Sequence, residues 1–182
     1  MTRLVPHLWY TEHAEEAARF YASVIPDSRI DSVTTMPIET PSGPPGSVVI
    51  VAFTLAGRPM SAFTAGKLDP FNHAISLMVE CDSQAEIDRI WDALLEGGQA
   101  EQCGWLRDRY GVAWQITPKR LAEMMQSEDR EAAGRAALAM MGMVKLDLDA
   151  LERAFAGEAE RALSPVGQRN DFSATGKRPL TN

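Results

Sequence analysis

One order of elements occurs twice along this chain, and that repetition limits the fold more than any single motif does. In the first half, Leu4–Tyr10 reads as a strand ending in the apolar group Leu8-Trp9-Tyr10. Thr11 follows, with a side-chain oxygen suited to the free amides of a helix start. Ala17, Phe20, Tyr21 and Val24 recur at helical spacing, and Pro26-Asp27-Ser28 ends that helix. A strand is predicted over Arg29–Met36. Pro41, Gly43, Pro44 and Pro45 make the next stretch a loop, because proline lacks the amide a ladder needs. Val48–Leu55 is apolar and β-branched, Ala56-Gly57-Arg58 is a tight turn, and Pro59–Thr64 is the returning strand.

The second half repeats this order. Ala74–Val79 reads as a strand. Ser83 with Glu86 fits a capping box, in which side chains satisfy the first free amides of a helix. Ile87, Ile90, Trp91, Leu94 and Leu95 form one apolar face, and Gly97-Gly98 ends the helix. Short strands are predicted at Glu101–Cys103, Trp105–Arg107 and Val112–Thr117, with Gly111 as a turn residue. Strand, amphipathic helix and three strands thus recur at an offset of about seventy residues, longer than a solenoid unit. Side-chain identity between the halves is slight, so the repeat is one of pattern. The expected fold class is α+β, with two βαβββ modules at about 3–66 and 72–118 inside a domain spanning 1–126.

After Pro118 the character changes. Arg120–Met125 reads as helical, and Arg130–Met143 is rich in Ala and Met, with Leu138 and Met141 on one face. Lys145-Leu146-Asp147-Leu148-Asp149 leads into a last helix, Ala150–Ala156. Residues 127–157 therefore form a helical extension. Methionine-rich surfaces adapt to partners, but core or dimer packing is the simpler reading. From residue 158 polar, Gly and Pro residues dominate, and a disordered tail is expected.

Charge and composition exclude several functions. The 182 residues carry a net charge of −7, so the basic face that nucleic acid or an anionic membrane requires is not expected. No apolar run approaches the length of a membrane span. The start, Met1-Thr2-Arg3-Leu4-Val5-Pro6-His7, lacks a basic segment followed by an apolar stretch, so no signal peptide is expected and the protein reads as cytoplasmic. Cys81 and Cys103 have no pairing motif and read as reduced thiols.

Leu8-Trp9-Tyr10 followed by Ala14-Glu15-Glu16-Ala17-Ala18-Arg19-Phe20-Tyr21 resembles the opening of the PhnB-like branch of the glyoxalase/bleomycin-resistance superfamily, the vicinal-oxygen-chelate proteins. Ala74-Ile75-Ser76 and Cys81-Asp82-Ser83-Gln84-Ala85-Glu86-Ile87 extend the resemblance. The stretch from Cys103-Gly104-Trp105 to Trp114-Gln115-Ile116 is its most specific part. It covers residues 3–125, and the Met-rich segment also resembles extensions in this branch. The resemblance implies a cupped mixed sheet with helices on the outside, and a homodimer. Members are often labelled 3-demethylubiquinone-9 3-methyltransferase-like. That activity is not expected here, because Tyr10-Thr11-Glu12-His13 stands where a glycine-rich turn would hold the methyl donor.

Metal-using relatives draw two His and a Glu from the first strand of each module and from the last strand. The resemblance places these positions on Pro6, Ala74 and Gln115, none of them a ligand of that kind. His7 and His73 are the neighbours, and a one-residue shift on a strand reverses the side chain. They read either as hydrogen-bonded strand-edge residues or, through a bulge, as displaced ligands. His13 falls in a first helical turn near solvent. By alternation, Leu8 and Tyr10 share the face of Pro6, Ser76 and Met78 that of Ala74, and Ala113 and Thr117 that of Gln115. The family geometry makes Leu8, Tyr10, Ser76, Met78, Trp105 and Gln115 the candidate pocket. Trp114 should belong to the core, and Arg107-Asp108-Arg109 reads as a solvated charge cluster. The expected function is a metal-independent homodimer that binds a small molecule, with no cofactor. The alternatives are a lyase, isomerase or dioxygenase using a divalent metal, and an interaction scaffold using the Met-rich extension.

Overall fold

A computed structural model describes residues 2–66 and 69–158. The first module contains β1 (His7–Tyr10), α1 (Ala14–Val24), β2 (Arg29–Thr35), β3 (Val49–Leu55) and β4 (Arg58–Thr64). The second contains β5 (Leu77–Cys81), α2 (Gln84–Leu95), β6 (Gln99–Ala100), β7 (Trp105–Arg107) and β8 (Ala113–Pro118). Helices α3 (Lys119–Gln126), α4 (Arg130–Met141) and α5 (Leu148–Ala156) follow. The α+β class holds, and the repetition read from the sequence is a repetition of topology. The strand orders are β1-β4-β3-β2 and β5-β8-β7-β6, and in each sheet the first strand runs parallel to the last. No described helix is long and apolar enough to cross a membrane.

Local chemistry moves some boundaries. β1 starts at His7 rather than Leu4, although the Pro6 carbonyl still accepts from the Ser61 amide at 3.0 Å. β5 starts at Leu77 rather than Ala74. The Asn72 side chain accepts from the Ala74 amide at 2.8 Å and turns the chain there instead of extending it. β6 lies at Gln99–Ala100, two residues early, because Cys103 (φ 60°) and Gly104 (φ 80°) are both left-handed and end any strand before them. The cap of α1 is His13, itself left-handed at φ 68°, and not Thr11. The capping box at α2 is present. Ser83 Oγ accepts from the Glu86 amide at 3.3 Å, and Glu86 Oε2 accepts from the Asp82 amide at 2.9 Å.

α1 packs on the first sheet through Ala14, Ala17, Ala18, Tyr21 and Val24, and α2 packs on the second through Ile87, Ile90, Trp91 and Leu94. The two helix-covered faces share one core. Tyr21 of α1 crosses to the second module, where its ring meets Trp114 edge-on at 5.1 Å. Its hydroxyl donates to Asp108 Oδ2 at 2.7 Å, and Trp114 Nε1 donates to the same oxygen at 2.8 Å. Asp108 Oδ1 accepts from the amides of Tyr110 and Val112 at 2.8 and 3.0 Å. The Arg107-Asp108-Arg109 stretch is therefore not a solvated cluster. Asp108 is 3% exposed, and four donors compensate its burial.

The extension is docked, not free. Leu121, Met124, Ala136, Leu146 and Leu151 form a second core. The amides of Cys103 and Gly104 donate to the carbonyls of Met143 and Val144, both at 2.8 Å. Gln84 donates to the Leu146 carbonyl and accepts from the Leu148 amide. A side chain at residue 104 would sit 2.8 Å from the Ile116 carbonyl oxygen and 3.0 Å from Leu146, so only glycine fits this seam. The tail expected from residue 158 lies, from 159 onward, outside the described residues.

Candidate functional site

Each sheet has one face beneath its helix and one that no helix among the described residues covers. On β1, Leu8 and Tyr10 point into the core and are 7% and 4% exposed. His7 and Trp9 therefore occupy the uncovered face. Their register partners on β4 are Ser61 and Phe63. The Phe63 ring lies 4.4 Å from that of His7 and 4.6 Å from that of Trp9, which makes a row of three rings. The Trp9 indole donates to the Ala65 carbonyl at 3.0 Å, which fixes its orientation. Partial burial lowers the His7 pKa below its ordinary value, so the ring is neutral at neutral pH.

The second sheet presents a matching row. Met78 pairs with Gln115, and Gln115 pairs with Trp105, so all three side chains stand on the same uncovered face. Gln115 Nε2 donates to Ser76 Oγ at 2.8 Å, just before β5. Of the six pocket residues read from the sequence, Ser76, Met78, Trp105 and Gln115 come together here. Leu8 and Tyr10 lie in the core, on the other side of the first sheet. Alternation alone leaves the phase of β1 open. Packing against α1 sets it, and Trp9 and Phe63 are the residues thereby missed. The alternation of Met60 and Ala62 with Ser61 and Phe63 is the signal that could have found Phe63.

His73 sits in the turn before β5. Its Nε2 is 2.6 Å from Glu101 Oε2, its Nδ1 is 3.3 Å from the Arg107 guanidinium, and its ring is 5.8 Å from that of Trp105. Both ring nitrogens are engaged by protein groups. His7 packs against the Phe63 ring, and His13 lies beside Glu12 and Glu16. Among the described residues no three His, Cys, Asp or Glu side chains converge as metal donors. The donor set among the described residues of one chain therefore does not fit the two-His-and-Glu pattern.

Two cavities adjoin these faces. One, of about 380 Å³, lies where the modules meet and is lined by Tyr10, Glu12, His13, Phe71, Arg107 and Arg109. Arg109 stacks on the Phe20 ring at 4.2 Å, which holds its guanidinium at this rim. The other, of about 650 Å³, opens on the uncovered face of the first sheet, with Ala52, Thr54 and Ser61 on its floor and Arg3 and Arg29 at its edge.

Two βαβββ modules of identical strand order, each with one uncovered sheet face, define a protein of the vicinal-oxygen-chelate class. The family model described as 3-demethylubiquinone-9 3-methyltransferase matches residues 2–117, and the chain belongs to that family. Among solved structures, the chain is similar to the PhnB protein from Bacillus cereus, at 29% identity and a TM-score of 0.58, over 64% of this chain and 99% of that one. It is also similar in fold to protein PA1353 from Pseudomonas aeruginosa, at 20% identity and a TM-score of 0.50, over 65% and 98% of the two chains. The search of curated proteins finds no match.

Proposed function

We propose that this protein is a metal-independent homodimer that binds a small organic molecule against the uncovered faces of its sheets. The observation that carries the reading is the ring row His7–Phe63–Trp9 beside a 650 Å³ cavity, on a face that no helix among the described residues covers. Sites for small molecules join apolar surface to a few placed polar groups, and this face joins an apolar ring row to a cavity edged by Arg3, Thr54 and Ser61. A second copy supplies the other wall. Among the described residues, β1 and β5 are edge strands with no partner on their outer sides, and no strand of one sheet pairs with the other. Met78 at 55% exposure and Trp9 at 38% are apolar groups that a second sheet would cover.

The test is a mass measurement joined to a binding measurement. Light scattering is expected to give twice the chain mass, and naphthalene-2-carboxamide is expected to show saturation-transfer signals that weaken in Trp9→Ser and Phe63→Ser. A monomer would remove the dimer. Signals unchanged in both variants would remove this face as the site. Elemental analysis of protein purified without chelator adds a third readout. Near-stoichiometric metal that falls on His7→Ala or His73→Ala would replace the metal-independent reading with that of a metal-dependent enzyme.

A further inference from the structure

The uncovered face of the first sheet differs in chemistry from end to end. Toward Tyr10 it carries the rings of Phe63 and Trp9. Toward Arg58 it is polar, with small side chains beneath and cations beside them. Ala52, Thr54 and Ser61 line the cavity there, with Arg3 and Val5 arriving on the segment before β1. Arg29 and Asp31 close the far side. Their charges cancel, because Arg29 Nε lies 2.8 Å from Asp31 Oδ1 and Thr54 Oγ1 donates to Asp31 Oδ2 at 2.8 Å. Both carboxylate oxygens are thereby engaged. Arg3 has no ion-pair partner among the described residues, and it lines the same cavity. Two arginines and one aspartate leave one uncompensated positive charge. His7, between the two ends, is held neutral and adds none.

A cavity edged by one free guanidinium and one open hydroxyl, continued along the same sheet face by the rings of Phe63 and Trp9 two residues beyond Ser61, matches an elongated amphipathic anion. We infer that the ligand is a small organic monoacid, with its carboxylate at Arg3 and Ser61 and its apolar or aromatic body along Phe63 and Trp9. This inference rests on the small-molecule reading above and adds the chemical class of the ligand. A guanidinium pairs a carboxylate through two parallel N–H donors, which fixes the head group and lets the rings select the body. A dianion is disfavoured by Asp31, which lies across the cavity from Arg3 with its only salt partner already engaged.

The test uses the full chain and two probes of one shape, naphthalene-2-carboxylate and its neutral amide naphthalene-2-carboxamide, titrated calorimetrically at low salt. Wild type is expected to bind the acid about tenfold more tightly than the amide, the worth of one charge-assisted pair. In R3Q acid and amide are expected to bind alike, with the acid losing about tenfold. Arg3 is exposed and precedes β1, so R3Q does not perturb the core. Equal binding of acid and amide by wild type, or a preference that survives in R3Q, would overturn the anion inference and leave the small-molecule reading standing. Failure of wild type to bind either probe at millimolar concentration would overturn both.

Discussion

Asp108 is the residue whose loss should be felt most, because it joins the two modules through a buried charge. Replacing it with Asn keeps the shape and removes the charge. If the amide oxygen stays toward Tyr110 and Val112, the amide nitrogen then faces the Tyr21 hydroxyl and Trp114 Nε1. The hydroxyl can rotate and accept, since Tyr10 lies 3.2 Å away as an alternative partner for its proton. The indole cannot, because it is only a donor. One buried donor is left without an acceptor, which costs about 1–3 kcal/mol, and the remaining bonds lose their charge assistance. D108N should therefore destabilise by about 2–4 kcal/mol, a large share of the ~5–15 kcal/mol that holds a typical domain. Y21F deletes one donor to the carboxylate and should cost about 1.5–3 kcal/mol. The assay is urea unfolding at pH 7 and fixed protein concentration, followed by circular dichroism and tryptophan emission together, so that two-state behaviour is checked. The double variant completes a cycle. Its cost should fall short of the sum of the single costs by at least ~0.5 kcal/mol, since both substitutions break one bond. A D108N cost below ~0.5 kcal/mol, or strictly additive costs, would refute the claim that this network staples the modules.

Three further outcomes follow from the same structure. The Cys81 thiol is 1% exposed, and burial pushes its pKa up to about 12, so in native protein Ellman's reagent should label Cys103 while Cys81 reacts only after unfolding. Two equally fast thiols would contradict that burial. Because burial lowers the folded-state pKa of His7, the unfolded chain binds more protons there, and the stability His7 contributes is full above about pH 6.5 and is lost as pH falls from there through the lower folded-state value. The melting temperature of wild type relative to His7→Gln should accordingly drop between pH 7.5 and 5.5, and a rise would show the sign to be wrong. Gly104→Ala places a methyl 2.8 Å from a carbonyl oxygen in a left-handed residue and should lower stability by about 2–4 kcal/mol. A Gly104→Ala urea midpoint unchanged from wild type would mean the extension is not seated where described.

The architecture was legible because two periodicities were written plainly. Helical spacing in α1 and α2, and the turn residues Gly57, Gly97-Gly98 and Gly111, are local signals that survive any tertiary context. The duplicated order then needed only the rule that one element sequence adopts one topology. The family resemblance through Trp105–Arg107 and Trp114–Gln115 pointed to the same fold and to the second sheet's uncovered row. The first sheet's row was harder to read. A strand of period two has two equivalent phases, and Pro6, taken as the reference from the family pattern, put Leu8 and Tyr10 with the pocket candidates.

What the sequence determined by itself is the class of the protein: helix faces, strand edges and caps are set by residues within a few positions of one another. Tertiary structure alone decided the rest. Only the packing of α1 shows that Trp9 rather than Tyr10 is left on the uncovered face. Only the crossing of Tyr21 onto the second module turns Asp108 from a surface-type residue into a buried junction, 87 positions away in the chain. Only the return of the segment before β1 over the first sheet brings Arg3 to the cavity that Thr54 and Ser61 floor. In each case the partners are far apart in sequence, and no local pattern can announce a neighbour that arrives only when the chain folds.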